Sequence, residues 1–142
     1  MKYPNFRTIG VLALFAGVVF QAQAGDLKVI ANPSVKASAL SADELSSVFL
    51  ASRNSLGDGS HVEPVILKSG ATHEAFLKEY VHKNSDAFAM YLRNQVFTGK
   101  GTFPKSFTNE GDVASYVAKT KGAIGYVNAA TETPEVKVIA VK

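Results

Sequence analysis

The chain has 142 residues, with 15 lysines and arginines against 12 aspartates and glutamates, and no cysteine. The absence of cysteine excludes disulfides, thiolate metal sites, a cysteine nucleophile and a lipid-modified cysteine. The small, scattered charge excess gives no basis for nucleic-acid binding.

Residues 1–24 read as a secretory signal peptide. Lys2 and Arg7 form a positive start, Ile9 to Phe20 is apolar apart from Gly10 and Gly17, and Ala22-Gln23-Ala24 supplies a small-x-small cleavage pattern before Gly25. The apolar run is short against the ~20 residues that span a bilayer, so cleavage rather than anchoring is expected. Residues 25–142 then carry 13 basic and 12 acidic side chains, a net charge of +1. They suffice for a single domain with one core, and no later apolar segment approaches transmembrane length. The reading is a periplasmic or secreted protein, soluble and without stable membrane insertion once cleaved.

Leu27–Ala31, bounded by Asn32-Pro33, has the branched apolar character of a strand. Ser41 followed by Glu44 has the form of a capping box, and Leu45, Val48 and Phe49 recur at helical spacing, which predicts a helix over about 42–50. A polar loop spans Ala51–Gly59. His61–Leu67 reads as a strand that Pro64 places at an edge or an irregularity. After a turn at Lys68–Ala71, Thr72 is expected to cap a helix with Phe76, Leu77 and Tyr80 on one side. Ser85 is expected to cap the next, whose apolar face is Phe88, Tyr91, Leu92 and Val96. Gly99, Gly101 and Pro104 enforce a loop. Asn109 can cap a last helix carrying Val113, Tyr116 and Val117, which stops at Gly122. Ala123–Val127 and Val136–Val141 are the final strands, and Pro134 marks the loop between them.

This alternation predicts an α/β fold, a mixed sheet flanked by helices. The expected core includes Phe49, Phe76, Leu77, Leu92, Phe97, Val117, Ile124 and Val138. Gly122 and Gly125 bracket a place of close backbone approach.

The turn Lys68-Ser69-Gly70-Ala71-Thr72-His73 is the candidate binding site. It joins a strand to a helix start, where free backbone N–H groups and the positive helix end favour an anion. Ser69 and Thr72 add hydroxyls, and Lys68 and His73 are sources of positive charge. An equally physical reading is that Thr72 merely caps its helix and Gly70 relieves a tight turn.

No catalytic constellation is visible. His61, His73 and His82 lack metal-ligand spacing, and Glu79 with His82 is a pair without a third ligand. There is no Gly-x-Ser-x-Gly elbow, and Phe97-Thr98-Gly99-Lys100-Gly101 lacks the first glycine and the Lys-Ser/Thr ending of a phosphate loop. The chain reads as a non-enzyme with no cofactor.

One run of landmarks goes further. Phe76-Leu77-Lys78-Glu79-Tyr80, Tyr91-Leu92, Phe97-Thr98-Gly99-Lys100-Gly101, Pro104 and Lys121-Gly122-Ala123-Ile124-Gly125-Tyr126-Val127 follow one another in order. Upstream stand Leu40-Ser41-Ala42-Asp43-Glu44-Leu45-Ser46-Ser47-Val48-Phe49-Leu50 and Asp58-Gly59 before Val62-Glu63-Pro64-Val65. The series resembles the second lobe of phosphate-type periplasmic solute-binding proteins.

That resemblance implies one lobe of a type 2 periplasmic-binding protein, serving capture of a small oxyanion such as phosphate for an ABC transporter. In that family a strand ending in arginine leads into a Ser-Gly-Thr turn that grips the oxyanion. Here Thr72 matches the threonine, Ala71 stands at the glycine, Gly70 at the serine, and Ile66 or Leu67 at the arginine. With material for one lobe only, the site would be open, or completed by a second copy or by an envelope or transporter protein. The alternative is an envelope interaction module that keeps the lobe fold and has lost its ligand.

Overall fold

The computed structural model describes residues 27–142. The signal-peptide reading of residues 1–24 lies outside them. In chain order the elements are β1 (Leu27–Ala31), β2 (Ala39–Leu40), α1 (Ala42–Phe49), β3 (Glu63–Leu67) and α2 (Ala71–Phe76), which runs on into a π-helical turn at Leu77–Val81. They continue as α3 (Ser85–Phe97), β4 (Lys105–Phe107), α4 (Glu110–Lys119), β5 (Ala123–Asn128) and β6 (Lys137–Val141).

The six strands form one mixed sheet in the order β2-β6-β1-β5-β3-β4. β3 lies parallel to both β4 and β5, while β1 is antiparallel to β5 and β6. β5 is therefore central, and Ala123 to Val127 are all buried. Successive side chains of a strand point to opposite faces, so Gly125 and Tyr126 face different layers. On the Gly125 side α4 packs so closely that a Cβ would lie 3.0 Å from Val113 Cγ1 and 3.4 Å from Val117 Cγ2. On the Tyr126 side its ring stacks on Phe76 at 3.9 Å between centroids, and Phe49 meets both rings edge-on. Helices thus cover both faces. The α/β expectation holds.

Local chemistry fixes the joints. Asn32, at the end of β1, donates to the carbonyls of Val117 (2.8 Å) and Ala118 (3.1 Å), tying the last turn of α4 to the sheet. Gly122 has a φ of 77°, and a Cβ there would sit 2.8 Å from the His61 carbonyl oxygen. This is the close approach expected of Gly122 and Gly125.

Several expectations need correction. Pro64 is not at an edge, since β3 lies between β5 and β4. The sheet accommodates it because Glu63 N–H points to the Gly122 carbonyl, which turns position 64 the other way, and pairing with β4 starts only at Val65. The cap of α3 is Asn84, whose Oδ1 accepts the Ala87 N–H at 2.8 Å, not Ser85. The cap of α2 is Gly70, not Thr72. Ser41 does cap α1, but Glu44 does not complete the box; its carboxylate accepts the Gly57 N–H instead.

Two core assignments fail as well. Phe97 is 92% exposed, because five residues past buried Leu92 a helix has turned about 140° off the buried line. Val138 is 54% exposed because Ile139, its neighbour in the alternation, takes the inward position. The other six predicted core residues are buried. The short strands β2 and β4 were not anticipated.

Candidate functional site

β3 carries the candidate turn out of the carboxyl edge of the parallel strands, the usual location of ligands in open α/β sheets. Lys68 N–H donates to the Phe107 carbonyl at 2.9 Å, so the chain stays in the ladder with β4 until the turn begins. Ser69 then leads to Gly70, whose φ of 106° falls where a side chain is disfavoured. A Cβ at Gly70 would meet nothing within 4 Å, so open space lies in front of the turn.

Gly70 accepts the Glu74 N–H with its carbonyl, but no side chain caps the first turn of α2. The first-turn N–H groups of Ala71, Thr72 and His73 have no acceptor within the helix. Lys68, Ser69, Gly70 and Ala71 are exposed and Thr72 is half-buried. These five residues are brought together at the surface.

His73 is different. It is 3% exposed and turned inward, where its Nδ1 pairs with the Tyr126 hydroxyl. The same hydroxyl accepts the Leu67 N–H at 3.1 Å. The hydroxyl and Nδ1 share one hydrogen bond, whose donor is set by the imidazole tautomer. Burial pushes the His73 pKa below its usual value, and Glu74 opposes the shift less strongly. His73 therefore braces the turn from beneath and adds no positive charge to it.

Tyr126 is the residue that sequence reasoning missed. Its signal was a phenol in an otherwise apolar central strand, a hydroxyl that needs a partner once buried. Ile66 and Leu67, the positions at which the resemblance would place an arginine, are both buried apolar residues at the end of β3. Lys68 is consequently the cation of the turn.

Among the described residues no group of three or more His, Asp or Glu side chains is placed to hold a metal ion, and no helix is long and apolar enough to cross a membrane.

No protein-family model and no curated protein matches the sequence. Solved structures do match in fold. An ABC-type phosphate transport receptor from Vibrio cholerae aligns with a TM-score of 0.64 at 11% identity, over 82% of this chain and 46% of that one. A putative phosphate ABC transporter substrate-binding protein with bound phosphate from Clostridium perfringens gives 0.63 at 14% identity, over 82% and 44%. PstS from Borrelia burgdorferi gives 0.62 at 14% identity, over 82% and 47%. The chain spans less than half the length of these proteins. The sheet and its helices have the fold of one lobe of a periplasmic binding protein.

Proposed function

We propose that this chain is an exported, non-catalytic solute-binding module that takes a small oxyanion, such as phosphate, at the turn Lys68–Thr72. The observation that carries the reading is the start of α2, where Gly70 is the cap and no side chain takes a first-turn N–H. Open space lies beside Gly70 at the carboxyl edge of a sheet whose fold is that of phosphate-binding proteins. Lys68 supplies the charge, and the Ser69 and Thr72 hydroxyls add donors. One accessible lysine in place of a bidentate arginine makes the site weak and sensitive to salt. A second copy of the chain, or an envelope or transporter protein, would cover the open side of this site. Calorimetric titration at low ionic strength tests the reading: phosphate or sulfate should bind, and added salt should weaken binding.

A second reading is an envelope docking module that has lost its ligand. Buried Ile66 and Leu67 at the arginine position and the exposed Phe97 ring favour it. Absence of any anion binding at low salt would put this reading first.

A further inference from the structure

A second concavity lies away from the turn. A cleft of about 480 Å³ opens at the other edge of the parallel strands, where β3 begins at Glu63 and β4 begins at Lys105. Its walls come from the loop after α1, the approach to β3 and the loop before β4. We propose that this cleft is a second binding site, for a small organic anion that joins a phosphate or carboxylate head to a planar ring.

Charge is the first argument. Arg53, Lys100 and Lys105 line the cleft against one carboxylate, Glu63, with His61 beside them. Glu63 is itself occupied, since its Oε1 accepts the Tyr116 hydroxyl at 2.8 Å. Arg53 meets Glu44 only at 3.8 Å, at the long limit of an ion pair, and that carboxylate oxygen already accepts the Gly57 N–H at 2.6 Å. The guanidinium keeps donors for a ligand. Residues 25–142 have a net charge of +1, so an excess of two positive side chains in one cleft is a local concentration of charge.

Construction is the second. Gly101 packs against the loop after α1 so tightly that a Cβ would lie 2.9 Å from Ala51 Cβ and 3.2 Å from the Ala51 carbonyl oxygen. Ala51 holds a φ of 57°, a left-handed conformation that non-glycine residues adopt at a cost and that recurs at ligand clamps. The two walls are locked together.

The third argument is the ring. Phe103 lines the cleft and remains 42% exposed, which supplies a stacking face beside the cations. The volume falls within the range of small-ligand pockets and exceeds the needs of an inorganic oxyanion.

Amide chemical-shift mapping on the protein, titrated separately with adenosine monophosphate, benzoate and inorganic phosphate, tests the assignment. Shifts from either aromatic anion should concentrate at residues 51–54, 61–64 and 100–105. A preference for the nucleotide identifies a phosphate head, and a preference for benzoate a carboxylate head. R53A and K105A should each weaken binding of the preferred probe roughly tenfold. F103A should weaken it roughly fivefold or more while leaving any effect of inorganic phosphate unchanged. K119A removes an exposed lysine on α4 and should change nothing. All replaced side chains are exposed, and an unchanged far-ultraviolet circular dichroism spectrum confirms folding. Shifts confined to residues 68–72 would support the turn and overturn the cleft, whereas shifts at the cleft alone would do the reverse. No shift at millimolar probe, or equal weakening by K119A, also overturns the proposal.

Discussion

The Tyr126 hydroxyl is hydrogen-bonded to His73 Nδ1 beneath the candidate turn, and its oxygen accepts the Leu67 N–H from the end of β3. One buried phenol thereby joins the last residue of a strand to the first turn of the helix that follows it. The intervening residues, Lys68 to Thr72, are held by both ends while their own surface stays open. The geometry gives a rigid turn without spending any of its exposed donors.

Tyr126→Phe removes the link and keeps the stacking against Phe76. Leu67 N–H and His73 Nδ1 are then left buried without their partner, at a cost of about 2–3 kcal/mol. Urea denaturation should show a lower midpoint with an unchanged slope. A midpoint equal to that of the parent would mean that the hydroxyl contributes nothing to the fold.

The same relationship predicts a pH dependence. His73 has a folded pKa below its unfolded value of 6.5. The unfolded chain therefore binds this proton first, and stability is greatest above pH 6.5. The loss begins as the pH falls past 6.5 and is complete below the depressed folded value. Thermal melts between pH 7.5 and 5.5 should show this decline, and His73→Gln should flatten it. An equal slope in the variant would assign the decline to other groups.

Gly125→Ala places a methyl 3.0 Å from Val113 Cγ1, where α4 and β5 are already in contact. Val113 must give way by a few tenths of an ångström, which costs about 1–3 kcal/mol in this packed layer. Ile124→Asp should be worse, at least about 4 kcal/mol, because a charge enters a fully buried position in the central strand. Comparing the two variants by denaturation separates crowding from burial of charge. Wild-type stability in either would contradict the central placement of β5.

Which of these features were legible depends on the range of the interaction that sets them. The Leu27–Ala31 and Ala123–Val127 strands and the α1 and α4 helices follow from local periodicity and caps, and Ser41 and Asn109 do cap them. β2 and β4 have two and three residues, too few to show a period of two, and exist because β6 and β3 offer edges. Phe97 misled because hydrophobicity alone does not report phase once a helix outruns its contacts. Ser85 was displaced by the neighbouring Asn84, an equally good cap one residue earlier. In the turn, Gly70 between a strand and a helix was a local signal. The inward rotation of His73 was not, because its partner lies 53 residues away.

Export predicts a processed N-terminus. Protein recovered from the cell envelope should have lost residues 1–24 and begin at Gly25, by intact-mass measurement. An unprocessed precursor as the stable species would contradict the signal-peptide reading.

Lys68→Ala is the cleanest test of the turn. Lys68 is exposed and its backbone alone joins the ladder with β4, so truncation leaves the Leu67–Tyr126–His73 link and the start of α2 intact. Removing the turn's cation should weaken phosphate or sulfate binding roughly tenfold at low salt, the difference shrinking as salt rises. Thr72→Ala is a second probe. Because Gly70 rather than Thr72 caps α2, the loss of the hydroxyl should affect binding more than stability. Calorimetry paired with denaturation separates the two effects. If an anion binds and neither substitution nor salt weakens it, the anion sits elsewhere and the assignment to this turn falls.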